Sequence, residues 1–214
     1  MKYKGIILLL FSILFVSCSR DIDNQIEKPD DQKEVIDSLA FWELLSGDTI
    51  TAIECIVDSI EFKFCLLDEN GVSATKFKEG ENFSFYFKIT NHSSDSLEIS
   101  GQFAGYFIYG GFCMVMSQDG DSIGFPFESC FCDLVIRPYP FYENDDYELT
   151  IPWSDDREIL HKSMLCTLNG FNQQNLPKGK YYTEFSHVFW FGIVPENLSR
   201  QIGPLTFKIN FEIE

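Results

Sequence analysis

The sequence predicts an all-β protein, an antiparallel β-sandwich carried behind an export signal. Three observations predict it. From about residue 57 onward, short runs alternate apolar and polar residues, the period of a half-buried strand. Clusters of turn-forming residues, such as Asn91 to Asp95 and Asp119-Gly120, separate these runs. The 214-residue chain also carries 22 Phe, large side chains that two facing sheets about 10 Å apart can bury.

The N-terminal segment has a different character. Lys2 and Lys4 precede an apolar run from Ile6 to Val16, broken only by Ser12. A membrane-spanning helix needs about 20 apolar residues, so this shorter run with its charged start reads as a secretory signal over residues 1–17. Its end, Phe15-Val16-Ser17-Cys18, resembles the lipobox of bacterial lipoproteins, with Phe where Leu is commonest. The resemblance implies cleavage after Ser17 and a diacylglyceryl thioether with palmitate-type chains on Cys18. Two or more acyl chains hold a protein firmly at a membrane, one only marginally. Residues 18–32 are polar, acidic and contain Pro29, a flexible tether reaching at most roughly 50 Å. Residues 33–56 read as a short extension. Val35, Leu39, Trp42 and Leu45 recur near helical spacing, and an early edge strand is the alternative.

Residues 57–214 are the predicted sandwich. Its clearest strand is residues 83–90, with Phe83, Phe85, Phe87 and Ile89 on one side and Ser84, Tyr86, Lys88 and Thr90 on the other. Residues 112–116 form another apolar run, followed by an Asp-Gly hairpin turn and a return over residues 122–125. Residues 133–137, 147–151 and 180–188 are further candidates. Leu205, Phe207, Ile209, Phe211 and Ile213 alternate with polar residues to close the chain.

The succession Phe77-Lys78-Glu79-Gly80-Glu81, the strand at 83–90 and the turn Asn91-His92-Ser93-Ser94-Asp95-Ser96-Leu97 resembles the opening of bacterial immunoglobulin-like modules. Met114 to Gly120 and Leu176 to Tyr181 continue the likeness. The nearest family is the bacterial intracellular proteinase inhibitors, whose domain is a sandwich. Inhibition through an exposed loop is thereby implied, although no reactive loop maps onto this chain and its export signal departs from that family. The whole resembles the short lipoproteins of gut-type, Bacteroides-type Gram-negative envelopes. That likeness implies a lipid-anchored place in the cell envelope, at the outer membrane. It also implies O-glycosylation at Asp-Ser/Thr-apolar triplets, with acceptors Ser38, Thr49, Ser59, Ser96 and Ser122. Three Asn-x-Ser sequons, at Asn82, Asn91 and Asn197, read as chance in such a chain.

Formal charge is −17, a surface that repels nucleic acid and anionic lipid headgroups. With Cys18 lipidated, six cysteines remain: Cys55, Cys65, Cys113, Cys130, Cys132 and Cys166. An exported protein can pair them, and spacing alone does not choose the pairs. Cys65 and Cys113 lie in apolar runs and read as small buried hydrophobes. Cys130 and Cys132 share one strand face and each is placed to meet a neighbouring strand.

No catalytic, cofactor or metal motif is present. His92 falls in a turn, His161 in a helical turn capped by Asp155 and Glu158, and His187 among aromatics at a strand end. None sits in a recognisable nucleophile–base pattern. The proline-interrupted segment Arg137-Pro138-Tyr139-Pro140-Phe141-Tyr142 is the candidate interaction loop, through Tyr139, Phe141 and Tyr142, because Pro excludes a central strand. The aromatic groups at residues 105–112 and at Tyr181-Tyr182 with Phe189-Trp190-Phe191 read first as core, with stacking on sugars or anchoring of a protein partner as the alternative. The expected function is a lipid-anchored binding or assembly module with a protein or glycan ligand. Proteinase inhibition is the alternative, and an enzyme with an unrecognised site is the third.

Overall fold

The computed structural model describes residues 50–99, 111–132, 138–156, 166–194 and 198–214. In chain order the strands are β1 Ala52–Val57, β2 Ile60–Leu67, β3 Lys76–Phe77, β4 Ser84–Asn91, β5 Leu97–Ile99, β6 Val115–Ser117, β7 Ser122–Gly124, β8 Ser129–Cys132, β9 Tyr139–Phe141, β10 Asp146–Pro152, β11 Cys166–Asn169, β12 Gly179–Ile193 and β13 Leu198–Ile213. No helix occurs among the described residues. The signal, tether and extension through residue 49 lie outside them, as do Cys18, Ser38, Thr49, His161 and the expected strand at 133–137.

A four-stranded antiparallel sheet runs β1-β2-β4-β10. A seven-stranded sheet runs β3-β13-β12-β5-β9, with β6 also paired to β12 and β7 to β6. Its one parallel pair is β3 with the end of β13. The alternation of Phe in β2, β4, β12 and β13 explains why the sheets stack. Phe64 and Phe87 are register partners in the first sheet, Phe185 and Phe207 in the second. Across the interface, Phe64 meets Phe185 at 5.1 Å between ring centres and Phe87 meets Phe207 at 5.4 Å. Phe62 meets Phe189 at 4.6 Å and Phe83 meets Phe211 at 5.2 Å. Such pairs add about 0.5–1.5 kcal/mol each beyond their buried area. All eight rings are buried.

The sandwich starts earlier than residue 57. Residues 52–56, read from sequence as part of an extension, join Val57 in the outer strand β1. Its signal was weak because an outer strand buries little: only Ile53 is fully buried. A two-residue turn, Asp58-Ser59, joins β1 to β2 with both residues at positive φ (49° and 63°), the geometry that matches strand twist in a tight hairpin. The apolar run at 112–116 is less regular than expected. Only Val115 and Met116 enter β6, while Phe112 and Cys113 are buried in the preceding turn.

One irregularity sets the phase of β13. His187 pairs with Leu205, but Phe189 pairs with Ile202. Gly203 and Pro204 therefore face Val188 alone, and β13 holds one extra residue. Odd-numbered Phe207, Ile209, Phe211 and Ile213 point inward on one side of this bulge, and even-numbered Ile202 on the other. A single inserted residue exchanges the faces of a strand. Gly203 sits at φ 110°, and a Cβ there would meet the Leu205 nitrogen at 2.7 Å and the His187 carbonyl oxygen at 2.8 Å.

Candidate binding face

The outward side of the second sheet divides along β12. Toward its start, Tyr182, Glu184 and Ser186 face out, and Lys208 lies 2.9 Å from Glu184 and 4.1 Å from the centre of the Tyr182 ring. Beyond the bulge the character changes. Phe189 and Phe191 are buried, so Trp190 between them faces solvent, 55% exposed. Gly192 and Val194 follow on the same side, each about 7 Å further along. Gly192 pairs with Glu98, which pairs with Pro140. An added Cβ on Gly192 would meet Glu98 Cβ and Oε2 at 3.4 Å, so the glycine leaves room for that carboxylate arm. The Val194 N–H donates to Ser96 O at 3.0 Å, carrying the row to the end of β9. There Tyr142 is 57% exposed.

Tyr142 is held by a local device. Its N–H donates to Asp145 Oδ2 at 2.8 Å, and Asn144 takes positive φ (66°) in the turn. The fully buried Asn91 anchors the turn to the other sheet: its Nδ2 donates to Phe141 O at 2.8 Å, and its carbonyl accepts from the Asn144 N–H. An unmet amide or carbonyl here would cost about 1–3 kcal/mol.

The segment expected to be a loop is thus the edge strand β9, a position where Pro is tolerated. Its three candidate residues separate. Tyr139 and Tyr142 are exposed, whereas Phe141 is 2% exposed and stacks on Phe191 at 6.1 Å. Phe141 is a core residue and no part of a surface site. Trp190 belongs to an aromatic group whose first reading from sequence is core and whose alternative is a binding surface. Its signal was its position, the middle of Phe189-Trp190-Phe191, which in a strand must face away from its neighbours.

The outward side of the first sheet is closed electrostatically. One register row reads Glu54, Lys63, Lys88, Glu148. Lys63 lies 2.6 Å from Glu54, and Lys88 lies 2.8 Å from Asp146 and 3.8 Å from Glu148. The Tyr86 hydroxyl donates to Glu148 at 2.9 Å and the Thr90 hydroxyl to Asp146 at 2.7 Å. A shallow depression of about 430 Å³ lies over Glu61, Lys63, Cys65, Tyr86, Lys88 and Thr90. Its two ammonium groups already have carboxylate partners. Burial, then the Glu148 hydrogen bond, pushes the Tyr86 phenol far above its ordinary range.

The thiols of Cys55, Cys65 and Cys113 are unsuited to nucleophilic work. Burial raises Cys65 and lifts Cys113 well above the usual thiol value; burial and then Glu61 push Cys55 up to about 11. They are protonated at neutral pH, and the thiolate is the reactive form. Burial lowers His187, which packs edge-on against Phe189 at 4.8 Å. His92 Nε2 lies 2.7 Å from Glu61 Oε2, on the surface. Among the described residues, no group of three His, Cys, Asp or Glu is placed to hold a metal ion.

Ser59, Ser96 and Ser122 are exposed. The first two share one end of the sandwich, where Arg200 joins their turns: its Nη2 lies 2.6 Å from Asp95 Oδ2 and its Nη1 donates to Asp58 O at 3.3 Å. The Asn82 side chain is engaged with the Ser154 backbone through both its atoms, and that of Asn91 is interior, so neither amide presents itself as an acceptor. No protein-family model matches the chain, and no curated protein is detectably similar to it in sequence.

Proposed function

We propose that this chain is a lipid-anchored envelope protein whose immunoglobulin-like sandwich is a non-enzymatic binding module, and that it takes a protein partner on the patch around Gly192. The strand order supports the immunoglobulin-like reading. β2, β4 and β10 follow the A-B-E order of one sheet, and β13, β12, β5 and β9 follow the G-F-C-C′ order of the other. The anchor reading rests on the sequence Phe15-Val16-Ser17-Cys18 and the acidic tether behind it.

The single observation that carries the binding role is the cluster of exposed Trp190, Pro140, Val194 and Tyr142 around a glycine. Aromatic anchors with aliphatic neighbours are the composition of protein-binding hot spots, where one large ring fills a partner's pocket. Val194 and Pro140 add aliphatic surface to the rings, while Glu98, Ser199 and Gln201 are the polar residues in register with Gly192 and Trp190.

The test is capture from solubilised envelopes with three baits: wild type, Trp190→Ala and Lys63→Ala. The expected result is a partner retained by wild type and Lys63→Ala and weakened about 30-fold or more by Trp190→Ala, the scale of a hot-spot residue. Equal capture by all three sinks the assignment of the patch. A bound protease held in a stable, inactive complex turns the reading to proteinase inhibition, and a glycan eluted with free sugar turns it to carbohydrate binding. Radiolabelled palmitate entering wild type but not Cys18→Ser checks the anchor separately.

A further inference from the structure

We propose that Cys132 and Cys166, which occupy one register position of the β8–β11 ladder, are joined by a disulfide. The register pairs Cys166 with Cys132, and Leu168 with Cys130. Directly opposed residues of an antiparallel pair have Cα atoms about 4.5–5.5 Å apart, inside the roughly 4.4–6.8 Å that a disulfide spans. The competing pairings fit worse. Cys130 and Cys166 are diagonal neighbours, about 7–8 Å apart. Cys130 and Cys132 lie two residues apart on one strand face, about 6.8 Å along an extended chain, whereas bonded cysteines need Cβ atoms about 3.5–4.5 Å apart. Cys55, Cys65 and Cys113 are free, and the last two are buried in the sandwich.

The ladder's position gives the cross-link a purpose. Among the described residues β8 and β11 pair only with each other, and a lone two-stranded ladder is marginal in water. One end is tied to the domain. The Asp155 N–H, just past β10, donates to Asn172 O at 3.1 Å, and Phe127, packed on Phe171 at 6.2 Å, belongs to the buried core of the sandwich. Cys132 and Cys166 form the last register pair at the opposite end. A bond there closes the ladder where those anchors do not reach, and it ties the connection between β7 and β9 to the one between β10 and β12.

The oxidant is a small disulfide of the glutathione type. The thiolate of one cysteine attacks a glutathione sulfur, breaking that S–S bond and releasing one glutathione thiolate, which takes up a proton. The second protein thiolate attacks the protein-side sulfur of the mixed disulfide and releases the other glutathione. Two protein thiols are oxidised and one glutathione disulfide is reduced to two thiols.

Purified, reduced full-length protein is equilibrated with an oxidising glutathione mixture, quenched with an alkylating reagent and digested without reduction. The expected product joins the Cys132 and Cys166 peptides, with fragmentation separating Cys130 from Cys132. It disappears with dithiothreitol, persists in Cys130→Ser and is lost in Cys132→Ser. The wild-type digest decides even where a variant fails to fold. Alkylation of both Cys132 and Cys166, or a bridge through Cys130 or Cys55, overturns the proposal.

Discussion

On the outward side of the four-stranded sheet, a row across the strands reads Glu54, Lys63, Lys88, Glu148. On the outward side of the seven-stranded sheet, past the bulge, the outward positions read Trp190, Gly192, Val194, with Pro140 and Tyr142 beside them. Both faces arise from the same two-residue alternation, and both lie over a core of Phe. The first meets water with paired charges, which satisfies the surface and leaves little for a partner to gain. The second meets water with rings and aliphatic groups, whose free energy improves when something covers them. The lesson is that alternation assigns a face and not its use. Use is decided by which polar groups already have neighbours.

The comparison is most sharply broken at Gly203. Gly203→Ala forces a Cβ into backbone atoms at a positive φ, and we expect a loss of about 2–4 kcal/mol, read as a lower urea midpoint. If stability is unchanged, the bulge does not hold β13 in phase and the face around Trp190 loses its structural basis. Asn91→Ala comes next. It removes the amide that ties β4 to the Tyr142 turn, at about 1–3 kcal/mol. Hydrogen exchange should rise at Asn144 and Asp145 before it rises at Trp190. Uniform protection across both would show that the two parts of the patch are not held independently.

Lys63→Ala should cost about 0.2–1 kcal/mol, since its partner Glu54 is half exposed and water screens the pair. A larger loss would mean that the charged face is a structural keystone.

The smallest signals are in pH, and they separate the two sheets. Burial would raise Asp146, but hydrogen bonds from Lys88 and Thr90 outweigh it, and the carboxyl is held below its ordinary range. Its contribution is present above about pH 4 and is lost as pH falls through the lower folded value. Burial alone lowers His187. Its neutral ring costs nothing above about pH 6.5, and stability is lost as pH falls from there toward its folded value, where the unfolded chain holds the extra proton. Urea midpoints against pH should therefore flatten near pH 4 and below in Asp146→Asn, and just below pH 6.5 in His187→Gln. Loss of both limbs in one variant would contradict this separation.

The strands that sequence reveals best are those buried on one face only. The middle of β4, from Phe85 to Ile89, and the end of β13 show unbroken alternation, and β10 follows the same rule up to Ile151. β1 escapes because one buried residue makes no period. The bulge escapes because Ile202 falls out of phase with Phe207, and alternation from Leu205 onward gives no sign of it. The surface patch is legible only once pairing is known. Three aromatics in a row read as core until Phe189 and Phe191 are placed inward, and Pro-Tyr-Pro-Phe-Tyr reads as loop until β9 is seen against β5.

β13 contributes Phe207 and Phe211 to the central ring stack and, through Ile213, holds β3 in parallel. The described strand made last is thus the one against which some of the earliest must close. During synthesis, β2 and β4 emerge long before the surface that will cover them. Contacts of such long sequence separation form slowly, so β2 and β4 stay uncovered until β13 has been made.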